Sequence, residues 1–207
     1  MSAISSSPDD PEIRILLVGR KASGKSSSGN TLLTERKFQE HESEVCEGQT
    51  QIGGKQVAVI DCPDLLDPDL SEEQLVSRCS AGLSSVLLTV PLEQPVQNEE
   101  EILDYIKCLF GPEVQKYFMI LFTHKDDLED LDQTIEEHLK HKDHADLQRL
   151  VTECGGKFHC FNNKRKSDNQ IQELLQKIEG TMEENREKFI MGRKRRRQHA
   201  QHCQFFS

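Results

Sequence analysis

The sequence predicts an α/β fold, a mainly parallel sheet with helices on both faces. Three observations carry that prediction. Buried-strand patterns alternate with helix-compatible runs along most of the chain. The string Gly19-Arg20-Lys21-Ala22-Ser23-Gly24-Lys25-Ser26 fits the phosphate-binding pattern G-x-x-x-x-G-K-[ST] without mismatch, and it stands between such a strand and such a helix. Each further candidate motif follows a predicted strand, at the carboxyl end where open parallel sheets bind ligands.

The elements follow in order. Residues 1–11 are rich in Ser, Asp and Pro and are predicted to be disordered. Residues 14–18 form a first strand, and a first helix runs from about Lys25 to Leu33. Residues 38–49 are polar, without a clear period, and read as a loop. Gln56-Val57-Ala58-Val59-Ile60-Asp61 is a buried strand, reached through the hairpin signal Gly53-Gly54 from a short strand near Thr50. Ser85-Val86-Leu87-Leu88-Thr89-Val90 is another strand, stopped by Pro91. Ile102, Tyr105, Ile106 and Leu109 fall at helical spacing, closed by Gly111-Pro112. A strand covers residues 117–122, a polar helix residues 131–142, and a second helix runs to about Cys154. The last strand is 157–161, and a long helix starts near Ser167 with Ile171, Leu174, Leu175 and Ile178 on its apolar face. The folded domain is placed at residues 12–185, with a basic helix end and tail at 186–207. No internal repeat is present.

A chain of 207 residues suits one such domain with a sizeable core. Its formal net charge of -10 repels polyanions, so no nucleic-acid partner is expected. Seven scattered cysteines without a CxxC pair, and no signal-peptide pattern, predict reduced thiols and a cytoplasmic location. No stretch approaches the roughly 18 apolar residues that span a bilayer.

The glycine-rich loop makes Gly19, Lys21, Ala22, Ser23, Gly24, Lys25, Ser26 and Ser27 candidate nucleotide-binding residues. Glycines let the backbone curl so that consecutive N–H groups point at phosphate oxygens. The helix N-terminus behind them adds partial positive charge. Lys25 would reach the β- and γ-phosphates, and the Ser26 hydroxyl would ligate Mg2+. Asp61, at the end of a later strand, is the second candidate at the metal.

The base is predicted to be guanine. Guanine-specific sites use N-K-x-D, whose Asp accepts hydrogen bonds from base N–H groups that adenine lacks. Here the register is His124-Lys125-Asp126-Asp127, with His in place of Asn. The Lys125 stem would cover the base plane and Asp127 would read its edge. A solvated charged loop is the alternative reading of this stretch. Asn162 and Asn163, after the last strand, could supply an amide to the base O6; alone that signal is weak.

With these motifs in place the chain resembles the GTPases of immunity-associated proteins, a family of the septin-like branch of phosphate-loop GTPases. The resemblance runs over residues 13–185. It is carried by Gly24-Lys25-Ser26-Ser27-Ser28-Gly29-Asn30, Val59-Ile60-Asp61-Cys62-Pro63-Asp64-Leu65-Leu66-Asp67, Phe122-Thr123-His124-Lys125-Asp126-Asp127-Leu128 and Phe161-Asn162-Asn163. The stretch around residues 86–111 is similar as well. The resemblance implies a phosphate-loop GTPase domain, GTP and GDP binding, Mg2+ dependence, and dimerisation across the nucleotide face as a homodimer or as a heterodimer with relatives.

Three departures from a working GTPase bear on mechanism; the second, at Leu65, is one the family usually shares. Asp64 stands where D-x-x-G has Gly, placing a carboxylate near the γ-phosphate position; two like charges about 4 Å apart cost about 1 kcal/mol in water and more at lower dielectric. Leu65 occupies the place of a catalytic Gln, and Gln94 that of the family's Arg, a cation worth about 10³-fold where it stabilises the transition state. The segment between Phe38 and Asp61 is short, leaving Ser43 and Thr50 as the candidates for a Mg2+-binding hydroxyl. The expected function is a guanine-nucleotide-binding switch or scaffold with weak or absent hydrolysis. The alternatives are a slow GTPase activated by a dimer partner and a nucleotide-free interaction domain.

Other signals are weaker. His138, His141 and His144 lie on a charged helix and read as a solvated face rather than a metal site. The run Arg193-Lys194-Arg195-Arg196-Arg197 reads first as a cation-loaded helix end. Its second reading, helped by Phe205-Phe206 and Cys203, is peripheral contact with the cytosolic face of an internal membrane.

Overall fold

Six strands make one sheet in the computed structural model, which describes residues 12–20, 23–33, 45–63, 72–91, 99–124, 145–162, 168–185 and 188–190. The strands are β1 (Ile13–Val18), β2 (Cys46–Ile52), β3 (Lys55–Asp61), β4 (Ser85–Pro91), β5 (Phe118–His124) and β6 (Phe158–Asn162). Their order across the sheet is β2-β3-β1-β4-β5-β6. Every pairing is parallel except β2 with β3. That exception is the hairpin signalled by Gly53 and Gly54, whose φ values of 58° and 79° match the left-handed backbone of a two-residue turn.

The period-2 geometry of a strand sorts each strand's side chains between two cores. On β1, Leu16 and Val18 face one cluster, and Ile13, Ile15 and Leu17 the other. The first cluster is closed by α2 (Glu72–Cys79), α3 (Glu99–Phe110) and α4 (Ala145–Glu153), through residues such as Leu75, Ile106 and Leu150. The second is closed by α1 (Lys25–Leu33) and α5 (Asp168–Asn185), through Leu32, Leu33, Ile171, Leu174 and Ile178. The helices therefore cover both faces, as the alternation of patterns predicts.

Several boundaries differ from the sequence reading. β2 begins at Cys46, inside the predicted loop. It is the last strand of the sheet on its side, with alternating exposed and half-buried polar residues, so it lacks the apolar run that marks its neighbours. β4 does end at Pro91, which is its last residue, in register with Thr123 of β5, one residue beyond the predicted 85–90. Helix α2 was not anticipated, because only Leu75 and Cys79 of its eight residues are buried. A 3-10 helix, Pro112–Tyr117, leads into β5. The predicted helix at 131–142 lies outside the described residues, as do the two termini. Cys46, Cys62, Cys79, Cys154 and Cys160 are thiols.

The chain after α5 returns to the start of β4. Leu83 and Phe189 form an antiparallel bridge with both hydrogen bonds made, Leu83 N–H to Phe189 O at 2.9 Å and Phe189 N–H to Leu83 O at 2.8 Å. The Phe189 ring packs edge-on against Phe110 at 6.3 Å and against Tyr117 at 5.9 Å. Nearby, the buried Arg14 donates to the carbonyls of Gly82 at 3.1 Å and Arg78 at 2.7 Å and pairs with Glu47. It thereby ties the amino ends of β1 and β4 to the end of α2.

Candidate functional site

β1 ends at Val18, and Gly19 and Arg20 lead into the loop that opens α1 at Lys25. Two glycines are fixed by geometry. A Cβ on Gly19 would collide with Thr89 Oγ1 and lie 2.8 Å from Ser23 Oγ. Gly24 has φ 86°, a left-handed backbone, and a Cβ there would meet Thr123 Oγ1 at 3.0 Å. The Gly24 carbonyl accepts the Ser28 N–H at 2.8 Å. In a helix begun this way the N–H groups of the first turn point outward from the N-terminus.

Three polar side chains meet where α1 begins. Lys25 Nζ lies 3.1 Å from Asp61 Oδ1, and Ser26 Oγ donates to Asp61 Oδ2 at 3.3 Å. Asp61 is the last residue of β3 and is 4% exposed; Ser26 is 7% exposed. An ammonium, a hydroxyl and a carboxylate are thus gathered, largely buried, at the carboxyl edge of the sheet. The hydroxyl and carboxylate oxygens are the hard donors that suit Mg2+.

Under the loop lies a chain of buried hydroxyls. Thr123 Oγ1 donates to the Ser23 carbonyl at 2.6 Å. Ser23 Oγ and Thr89 Oγ1 are 2.7 Å apart, and Thr89 Oγ1 donates to the Val18 carbonyl at 3.3 Å. With the Thr89 proton on Val18, Ser23 is the donor in the middle bond. A second link is ionic. Arg20 Nε is 2.7 Å from Glu99 Oε1, and that carboxylate, on the first residue of α3, is fully buried.

Among the residues predicted from sequence, Gly19, Ser23, Gly24, Lys25, Ser26, Ser27 and Asp61 converge at this edge. His124 and Asn162 end β5 and β6 as register partners, so the strand ends from which the two base-reading segments continue lie side by side. Lys21, Ala22, Asp64, Leu65, Gln94, Lys125, Asp127, Asn163 and Ser43 lie outside the described residues. Thr50, a candidate Mg2+ ligand, is not brought to the site. It pairs with Val57 while Asp61 pairs with Cys46, four register positions or about 14 Å away. Sequence reading did not single out Thr89, Glu99 or the role of Arg20. Their contacts join positions more than 60 residues apart, and no local pattern announces them.

Comparison with known proteins follows this geometry. A model of the AIG1 family matches residues 13–206. Immune-associated nucleotide-binding protein 9 of Arabidopsis thaliana is 28% identical over 197 residues, covering 86% of this chain and 58% of its own length. GTPase IMAP family member 8 of Homo sapiens is 30% identical over 197 residues, covering 91% of this chain and 29% of its own. The chain therefore spans only part of the curated relatives it matches. Among solved structures, Toc33 from Arabidopsis thaliana in complex with GDP and Mg2+ superposes with TM-score 0.63 at 16% identity, covering 88% of each chain. The G domain of the T. maritima FeoB iron transporter gives TM-score 0.53 at 18% identity, over 82% of this chain and 98% of that one. At such identities the likeness is one of fold.

Proposed function

The chain belongs to the AIG1 family, and on that premise we propose that it binds guanine nucleotide with Mg2+ and acts as a GTP-dependent switch or scaffold with weak or absent hydrolysis of its own. The observation that carries the reading is the meeting of Lys25, Ser26 and Asp61 at the mouth of an intact phosphate loop. The names of the relatives, and a fold neighbour that holds GDP and Mg2+, support it.

In this reading the first-turn N–H groups of α1 and the Lys25 ammonium take the phosphates. Lys25 exchanges its Asp61 partner for phosphate oxygen. Ser26 and Asp61 are the residues that would hold Mg2+, whose charge, when bound, offsets that of the phosphates. His124, Lys125, Asp127, Asn162 and Asn163 read the base. Asp64, Leu65 and Gln94 weaken γ-phosphate sensing and cleavage, which favours holding GTP over cutting it. The protein would be cytoplasmic and would dimerise with itself or with relatives. Its basic run at residues 193–197 would touch anionic membrane from the cytosolic side. Among the described residues no helix is long and apolar enough to cross a membrane.

A second reading, a slow GTPase activated by dimerisation, is favoured by one observation. Dimerisation is important for the GTPase activity of the chloroplast translocon components atToc33 and psToc159, which share the fold, and a partner could supply the cation that Gln94 lacks. Calorimetric titration with GDP, a non-hydrolysable GTP analogue and ATP, each with Mg2+, tests the binding. Tight binding of both guanine nucleotides and none of ATP is expected. Single-turnover hydrolysis by the isolated protein at about 1 s⁻¹ would overturn the weak-hydrolysis part.

A further inference from the structure

We propose that Thr123 is a positioning residue that couples the base-reading loop to the phosphate loop. The inference rests on the nucleotide reading of the site. Thr123 is the next-to-last residue of β5, immediately before His124-Lys125-Asp126-Asp127. It touches the phosphate loop twice. Its hydroxyl donates at 2.6 Å to the carbonyl of Ser23, 100 residues away in sequence. Its Cβ and methyl lie 3.1 and 3.2 Å from where a side chain on Gly24 would begin, so they fill the space that glycine leaves.

The contact is specified rather than incidental. Thr123 is 4% exposed and Ser23 1%, so no water shell offers the Ser23 carbonyl an easy substitute donor. The Ser23 hydroxyl is committed to Thr89, and the Thr89 proton to Val18. The hydroxyl chain therefore runs from β5 through the loop to β4 and β1, and Thr123 is its only entry from the base-reading side among the bonds described. A nucleotide is a rigid ruler in this respect: ribose fixes the span between base and phosphates. The two loops gain from binding one ligand together when the strand that carries one is held against the other, and the Thr123–Ser23 bond ties the end of β5 to the phosphate loop.

Thr123→Val keeps the volume and the methyl but places carbon where a hydroxyl now sits. A carbon needs about 3.3 Å or more from a carbonyl oxygen, so loop and strand must part by several tenths of an ångström. Misplacement on the 1 Å scale can cost about 100-fold in a positioned site. We expect GDP affinity to fall about tenfold or more in Thr123→Val. Thr123→Ser, which keeps the donor, should stay within about threefold of wild type. Pyrophosphate, which reaches only the phosphate loop, should also weaken by less than about threefold in Thr123→Val.

The measurement is competition of GDP and of pyrophosphate, with Mg2+, against a fluorescent GDP on the full chain. Circular dichroism checks each variant's fold, and Thr123→Ala removes the donor without adding a methyl should the valine variant not fold. Unchanged GDP affinity in Thr123→Val or Thr123→Ala overturns the inference, as does an equal loss for GDP and pyrophosphate. Failure of the wild-type protein to bind any nucleotide overturns the functional reading itself, and this inference with it.

Discussion

Arg20→Gln removes the guanidinium from a carboxylate that has no exposure to water. Glu99 is fully buried, and Arg20, 2.7 Å from it, is itself 11% exposed at the side chain. Breaking such a pair from one side costs about 3–5 kcal/mol, because the remaining charge stays buried without its counterion. Two features soften the loss. Glu99 opens α3, where the helix N-terminus favours an anion by up to about 1–2 kcal/mol, and it keeps other contacts in the fold. The expected net loss is about 2–3 kcal/mol. For a domain of this size each kcal/mol shifts Tm by about 2–4 °C, so a drop of about 4–12 °C is expected. Glu99→Gln, which removes the charge and keeps the shape, should cost less than Arg20→Gln. The double variant should recover more than half of the Arg20→Gln loss, since it leaves no bare charge. Urea unfolding of the four proteins gives the coupling directly. A double variant no more stable than Arg20→Gln alone would refute the assignment of the loss to an uncompensated Glu99.

Three other outcomes are expected. Gly19→Ala forces a Cβ into Thr89 and Ser23, so it should lower stability by about 1–3 kcal/mol and weaken GDP binding more than tenfold; wild-type melting and calorimetry would contradict the packing argument. Phe189→Ala should cost about 3 kcal/mol in urea unfolding, through lost contact with Phe110 and Tyr117, and leave nucleotide affinity within about twofold. Burial pushes the Cys79 and Cys154 thiols up to about 12, so iodoacetamide at pH 8 followed by mass spectrometry should find both intact while the half-buried Cys46 and Cys160 react first. Equal labelling of all four would show that the native fold opens faster than the reagent acts.

The parts of this molecule that were legible in its sequence are those where one local pattern forces one local structure. Ile13 to Val18 could only be a strand buried on both faces. The glycines at 19 and 24 could only serve a loop that its surroundings approach closely. Asp61 was readable because it closes an apolar strand. What stayed hidden depends on partners far away in the chain. Glu99 looks like any acid in the first turn of a helix until Arg20 is seen beside it. Thr89 looks like a β-branched strand residue, and only the fold shows that its hydroxyl fills the space above Gly19. The first half of β2 is illegible because polar residues at a sheet edge carry no hydrophobic signature, and Thr50 stands in the sequence as a Mg2+ candidate beside Ser43 because hairpin register cannot be counted without its pairing.

The bridge between Leu83 and Phe189 sets a polarity for the whole molecule. Leu83 precedes β4 at the amino edge of the sheet, while Thr89, six residues on, lies against the phosphate loop at the opposite edge. At about 3.3 Å per residue, the two are about 20 Å apart. Residue 189 is therefore pinned at one pole of the sheet, and the phosphate loop lies at the other.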